Sequence, residues 1–506
     1  MKNQFLQGTL ILVCSSVLLK VLGFAYQIFV IRAIGTEAIG IVNMAQPFYM
    51  ALVIFSTMSM PMAISRMVAQ AYAREEQGVT TKIMRNAFRL VGVLSVLAVA
   101  VAIVIVPRLF QYLNADSRLR WCFYMLLPGI VIVPFTSVLR GYFQGRCKML
   151  APSVGQLVEQ ILRIGIGMIV VTLLKGRNVL YIAMGLAGAM IVGELGGCMV
   201  LLLLYCKERK KEQFTDKSKK GVLHEMFSLG IPATLTKLTS TCDMMIEAWL
   251  MPWCFWQGGA TRSMAAKMYG DLSGVAFNLL AIPNILTSAL VTMLIPTVAQ
   301  NSLQQNKQKL ERSCGKVLAL TYMCACPIVM VIYCYGDALI YFIFAIEGLG
   351  KVVQNLCYGA MFIYLGQTIV GILQGLGKNR VVFVNNFCGS FLKIAGIYYF
   401  AYIMGSGLEG AVWGFVLGYG GQCLLNFFCL IKNVRIKILR REIFLPAILT
   451  GAFYYTLPIA QRMFSFLPQM GAISGAILLN CGIYFLILMG SKTFSLKLFE
   501  DDCNTM

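Results

Sequence analysis

Fourteen apolar stretches follow one another along the chain, near 5–32, 40–64, 88–107, 121–139, 150–174, 179–206, 228–250, 272–299, 314–335, 352–374, 381–403, 408–431, 444–462 and 470–490. About 20 apolar residues suffice to carry a helix across the hydrocarbon of a bilayer. The pattern therefore predicts an all-α polytopic membrane protein with about 14 transmembrane helices. With 58% hydrophobic and only 13% charged residues, a soluble globular reading is excluded, and no polar stretch is long enough for a separate cytosolic catalytic domain.

The net charge of +22 (43 Lys and Arg against 21 Asp and Glu) would point to nucleic acid in a soluble chain. Here its distribution carries the information. The even-numbered loops and the two termini hold roughly three times as many Lys and Arg as the odd-numbered loops, which places both termini in the cytoplasm. The charge is then topology signal and contact with membrane lipids, and no nucleic-acid partner is expected. The apolar run before Arg32 is too long for a signal peptide and is interrupted by Lys20, so it reads as an uncleaved first span. The 17 cysteines are scattered without metal or redox spacing, and His224 is the sole histidine. Multi-histidine zinc sites and Ser/His/Asp catalysis have no material. Neither an enzyme nor a cofactor is expected, and no metal site is certain.

The chain repeats itself. Arg140-Gly141-Tyr142-Phe143-Gln144-Gly145 through Leu162-Arg163-Ile164 aligns 230 residues later with Val370-Gly371-Ile372-Leu373-Gln374-Gly375 through Leu392-Lys393-Ile394. Thr57-Met58-Ser59-Met60-Pro61 matches Thr292-Met293-Leu294-Ile295-Pro296, and Leu19-Lys20-Val21 more weakly matches Thr236-Lys237-Leu238. Two six-helix pseudo-symmetric lobes follow, 1–206 and 222–431, joined by a basic cytoplasmic linker, 207–221, and followed by two extra helices and a tail, 432–506.

Ionisable side chains deep in a bilayer are costly and either find a partner or face a watery cavity. Lys20, Lys237, Arg163 and Lys393 lie well inside spans and fall into two repeat-related pairs. One reading gathers them in a cationic cavity for an anionic substrate such as a phosphate or pyrophosphate. The other has them only satisfying neighbours, since Glu159 stands four residues before Arg163, and Glu194, Asp243 and Glu247 are further candidate counterions. Asp243 and Glu247, one helical turn apart, with Asn385 and Asn386 from another span, are candidate ligands for a coupling monovalent cation or proton.

Leu19-Lys20-Val21-Leu22-Gly23-Phe24, the run from Ser56 to Arg66, and Arg140–Gly145 followed by Val158-Glu159-Gln160-Ile161-Leu162-Arg163 resemble the stage V sporulation protein B family. That family lies in the polysaccharide-flippase branch of the multidrug/oligosaccharidyl-lipid/polysaccharide exporter superfamily. The resemblance implies two lobes around a central cavity, alternating access, and movement of a lipid-linked cell-wall precursor across the bacterial cytoplasmic membrane, with cell-wall synthesis enzymes as neighbours. Compared with the related lipid II flippases, Lys20 stands for a first Arg and Tyr26 for a second. Asn278 and Ala281 stand where an Arg and a Glu precede a Phe-Pro pair, here Ile282-Pro283, and Asp243 matches an Asp associated with cation binding.

The leading expectation is a non-enzymatic flippase for a polyprenyl-pyrophosphate-linked saccharide of cell-wall or spore-cortex synthesis. A cation-coupled multidrug exporter of the same superfamily is the first alternative. A membrane-embedded saccharide polymerase is the second.

Overall fold

The computed structural model describes residues 2–74, 77–209, 221–281, 283, 307–436 and 439–491, with side chains from residue 15 onward except those of Gln77 and Lys307. Ten helices occupy the first part of the chain: α1 (Lys2–Ile34), α2 (Glu37–Thr57), α3 (Met60–Ala73), α4 (Gln77–Tyr112), α5 (Ser117–Leu126), α6 (Gly129–Gly145), α7 (Leu150–Leu174), α8 (Val179–Arg209), α9 (Val222–Gln257) and α10 (Arg262–Gly270). A π-helical turn, Asp271–Ala276, follows. After the undescribed part of the eighth span come α11 (Lys307–Phe344), α12 (Gly350–Gly375), α13 (Asn379–Ile397, continued by a π turn to Ile403), α14 (Gly407–Asn433), α15 (Arg440–Met463) and α16 (Gln469–Gly490). No strand occurs among the described residues.

Among the described residues twelve segments are long and apolar enough to cross a membrane, and each coincides with one of the apolar stretches read from the sequence. The seventh stretch forms a helix of 36 residues, α9, but Lys237, Asp243 and Glu247 keep it outside that set. Most of the eighth stretch lies outside the described residues, as do 210–220 of the linker and the Thr292–Pro296 match.

Contacts divide the chain into two units, Met1–Gly274 and Val275–Met506. The first is built on a break in span two. Met58 and Ser59 both take left-handed backbone angles (φ 46° and 49°), uncommon for residues with a Cβ, and Pro61 restarts the helix in α3. Helix α9 seats on that break. A Cβ on its Gly230 would lie 2.6 Å from the Met58 carbonyl oxygen, and the Thr234 hydroxyl, donating to Gly230 O (2.7 Å), lies 3.3 Å from the Ser59 hydroxyl. On the other side Gly141 of α6 packs on Pro61, where a Cβ would stand 2.9 Å from its carbonyl oxygen. Two of the motifs that carry the family resemblance thus meet here as packing. Met60, Ile64, Met67, Tyr142 and Phe143 form the surrounding core.

The second unit holds α11–α16. Helices α15 and α16 pack on α11 through Phe453, Leu457, Tyr484 and Leu488, and the Tyr484 hydroxyl donates to Met323 O (2.8 Å).

The duplication is also written in the packing. In the α7–α8 pair, Gly185, Gly193 and Gly196 face Val170, Arg163 and Leu162; in the α13–α14 pair, Gly410, Gly418 and Gly421 face Phe400, Lys393 and Leu392. The facing positions keep the 230-residue offset on the first helix of each pair, while the glycines are offset by 225 because the stretch from Val170 to Gly185 is five residues longer than that from Phe400 to Gly410. Small residues let helices approach closely where lipid offers no hydrophobic drive. A Cβ at Gly193 would meet the Glu159 carbonyl oxygen at 2.7 Å. Gly193→Val is therefore expected to cost about 1–3 kcal/mol through overpacking, read as a lower melting temperature of detergent-solubilised protein. Gly451→Ala, where a Cβ meets nothing within 4 Å, is expected to leave it unchanged or slightly higher.

Candidate functional site

The first unit places a chain of alternating charges across three helices. Glu159 on α7 accepts from Arg140 of α6 (Nη2 to Oε2, 2.8 Å) and from Arg163 of its own helix (Nη2 to Oε1, 2.9 Å). Arg163 also approaches Glu194 of α8 at 3.7 Å. The pairing read from the four-residue spacing of Glu159 and Arg163 is present, and the network extends beyond it. Arg140 falls past the end of the apolar stretch and reads from sequence as a loop residue. In the structure α6 continues to Gly145 and carries Arg140 to Glu159. Two arginines and two glutamates leave the cluster formally neutral. Charge-assisted hydrogen bonds of this kind are the strong ones.

Lys393, the repeat partner of Arg163, sits in different surroundings. It is 5% exposed, with Nζ 5.5 Å from the Phe415 ring centroid and 6.0 Å from that of Tyr419. By the packing correspondence Tyr419 occupies the position of Glu194, and Gly389 that of Glu159. One repeat meets its cation with carboxylates, the other with aromatic faces, whose quadrupoles attract a cation electrostatically.

Lys20 and Lys237 differ from both. They lie in the middle of α1 and α9, in the first unit, with exposed side chains. No ion pair joins either to a described residue. Nearby on α1, Tyr26, which takes the place of the flippases' second arginine, brings its hydroxyl to the bare backbone of Gly167 on α7.

Asp243 and Glu247 are half-buried on α9. The hydroxyls of Thr239 and Thr241 donate back to Leu235 O and Lys237 O of the same helix (both 3.0 Å). In the second unit Asn385 donates to Asn426 Oδ1 (3.0 Å), and Asn386 accepts from Gln422 Nε2 (2.7 Å). These two asparagines thus bridge α13 to α14. No cluster of three His, Cys, Asp or Glu suited to a metal ion occurs among the described residues.

The network gives a ranked expectation for folding. Glu159→Gln alone leaves Arg140 without a carboxylate and Arg163 with Glu194 at 3.7 Å, and because these side chains are only half-buried the cost should fall below the roughly 3–5 kcal/mol of breaking a fully buried pair. Adding Arg140→Gln should recover most of that, because Arg163 keeps Glu194. Adding Arg163→Gln instead should recover less, because Arg140 is then left without a carboxylate at bonding distance. Expression level and thermal stability of the purified variants check the order.

Comparison with known proteins agrees with this architecture. The family described as polysaccharide biosynthesis protein matches residues 5–302. Stage V sporulation protein B of Bacillus subtilis (strain 168) is 25% identical over 494 residues, 96% of this chain and 95% of that protein. Lipid II flippase MurJ of the same organism is 23% identical over 526 residues, 95% of each chain. Among solved structures, an inward-facing multidrug resistance MATE family transporter of the MOP superfamily superposes with a TM-score of 0.68 at 16% identity, over 82% of this chain and 94% of that one.

Proposed function

The chain belongs to the polysaccharide biosynthesis protein family, and from that premise we propose that it is a flippase carrying a polyprenyl-pyrophosphate-linked saccharide across the cytoplasmic membrane by alternating access. The coarser statement, a multi-pass membrane transporter of the flippase superfamily, stands on the family match and on relatives such as the lipid II flippase. One observation carries the finer reading: Lys20 and Lys237 are exposed, mid-helix and without a counterion among the described residues.

Lys20 lies 12 residues from the end of its apolar stretch at residue 32 and Lys237 nine from the start of its own at 228, which at 1.5 Å per residue is about 18 and 13 Å of helix. A four-carbon stem does not bring an ammonium that far to an interface, so each is solvated by a water-filled cavity instead. Two ammonium groups with unspent donors suit a pyrophosphate, and the substrate's lipid tail stays in the bilayer. Arg163 adds nothing to that charge, since Glu159 and Glu194 neutralise it.

The termini face the cytoplasm in this reading, as the loop charges require. Asp243 and Glu247 on α9 supply the carboxylates for a coupling monovalent cation or proton. Cell-wall or spore-cortex synthesis enzymes are the partners that deliver and consume the lipid-linked unit.

Proteoliposomes loaded with a fluorescent polyprenyl-pyrophosphate saccharide test the assignment. Lys20→Gln or Lys237→Gln should lower flipping roughly tenfold or more, the loss of one charge-assisted contact, while insertion stays intact because a costly charge has left the membrane. Arg at either site should keep part of the rate. Full activity in both Gln variants, or resistance to cationic dyes that Asp243→Asn abolishes, would replace this reading by the drug exporter.

A further inference from the structure

The contact between α7 and α8 and its counterpart between α13 and α14 share their glycine spacing, but their polar side chains are exchanged. In the first unit Glu159 projects from α7 over Gly197, where a Cβ would lie 3.1 Å from the Glu159 Cβ. At the equivalent positions of the second unit the first helix carries Gly389 and the second carries Gln422, with a Cβ at Gly389 only 2.6 Å from the Gln422 Cβ. The carboxylate that locks arginines in one repeat is thereby replaced by an amide in the other.

That amide faces a cavity of about 680 Å³ lying wholly within the second unit, inside the range of about 300–1,000 Å³ usual for small-molecule sites. Its polar wall is Gln367, Gln374, Asn386, Gln422 and the ring of Tyr419, and no charged residue lines it among the described residues. The bond from Gln422 to Asn386 leaves the Gln422 carbonyl and the Asn386 amino group without a further partner among the described residues. Gln367 and Gln374 make no side-chain hydrogen bond among the described residues. Phe277 and Phe362 complete the wall, and the Tyr364 hydroxyl, donating to Leu280 O (2.7 Å), fixes α12 to the segment that bears Phe277.

We propose that this cavity is a saccharide-binding site, in which the amides of Gln367, Asn386 and Gln422 grip the hydroxyl and N-acetyl groups of the lipid-linked unit. The inference rests on the flippase reading and names where the sugar part of that substrate is held. An amide offers a donor and an acceptor side by side, which matches a sugar, whose hydroxyls each donate and accept. A bound anion would call for Arg or Lys, and a hard cation, though amide carbonyls can help hold it, for at least one carboxylate to balance its charge; among the described residues the wall has neither. An alkyl chain would leave the amides unpaired, which a site built to hydrogen-bond penalises heavily.

The test uses the full chain in detergent with N,N′-diacetylchitobiose as probe, followed by saturation-transfer NMR. Transfer to the sugar is expected in the wild type. The Gln367→Leu, Gln422→Leu double variant should weaken binding roughly tenfold or more, two neutral hydrogen bonds' worth. Gly366→Leu removes no polar group; the nearest atom to a Cβ there is Cys423 Cβ at 3.7 Å, so the variant is expected to fold with its side chain narrowing the cavity, and it should reduce transfer strongly. Sugar transfer unchanged in both variants overturns the proposal. So does sodium binding that both variants remove from a protein showing no sugar transfer, which would make the cavity a cation site. Variant-sensitive sugar binding in a protein that moves no lipid-linked saccharide in proteoliposomes would keep the site and sink the flippase. Flipping that Gly366→Leu leaves intact, without sugar binding, would do the reverse.

Discussion

A charge placed in hydrocarbon has to bring its neutralising partner with it, and the position of Glu159 follows from that requirement. Its two oxygens serve two arginines from two helices, one of which also leans on Glu194 from a third. Helices α6, α7 and α8 are thus tied by charge-assisted bonds among half-buried side chains. The glycines of α8 then make the approach close enough for those bonds to form. In the second repeat the same helix pair solves the problem with rings: Phe277 packs edge-on against Phe415, Phe415 stacks with Tyr419, and Lys393 rests against the last two.

Much of the fold was legible because the bilayer permits so few answers. An apolar stretch of the right length has to be a helix, and twelve stretches coincide with helical spans, several of them running some five to ten residues past the expected ends. Boundaries were harder, and Arg140 shows the cost. The apolar window closes at residue 139, but a helix needs no apolar residues to continue, so α6 runs on to Gly145 and its arginine becomes part of the charge network. Glu159 offered a signal for this, being one carboxylate with two oxygens and only one evident partner. Asn385 and Asn386 illustrate a different limit. As residue types they suit a hard cation, but their spacing on α13 says nothing of Asn426 and Gln422 on α14, which are the groups they bond. Partners from another helix are a tertiary fact.

The repeat proved more informative than any single residue. Aligning the halves paired Arg163 with Lys393, and the packing then extends the correspondence to Glu194 with Tyr419 and to Gly197 with Gln422. Two copies of one helix contact have drifted to opposite uses: a neutral ionic lock that rigidifies, and an uncharged polar hollow with bonding capacity to spare. Duplication makes such division possible, since one copy can hold the architecture while the other is released for recognition. Lys20 and Lys237 belong to neither device: both are exposed, and no ion pair joins them to a described residue.

The left-handed break at Met58 and Ser59 bears on how the protein is made. Helix α9 is too polar to rank with the helices that cross a membrane on apolarity alone, and the surface it fits, with Gly230 on the Met58 carbonyl, belongs to segments that leave the ribosome some 170 residues earlier. Its insertion therefore leans on a lobe already in place. While the linker is being synthesised that lobe waits inside the bilayer with an unoccupied seat, and the helix arriving next partitions into protein rather than into lipid. Biogenesis of this chain is for that reason directional: the second repeat enters the membrane through a docking surface furnished by the first.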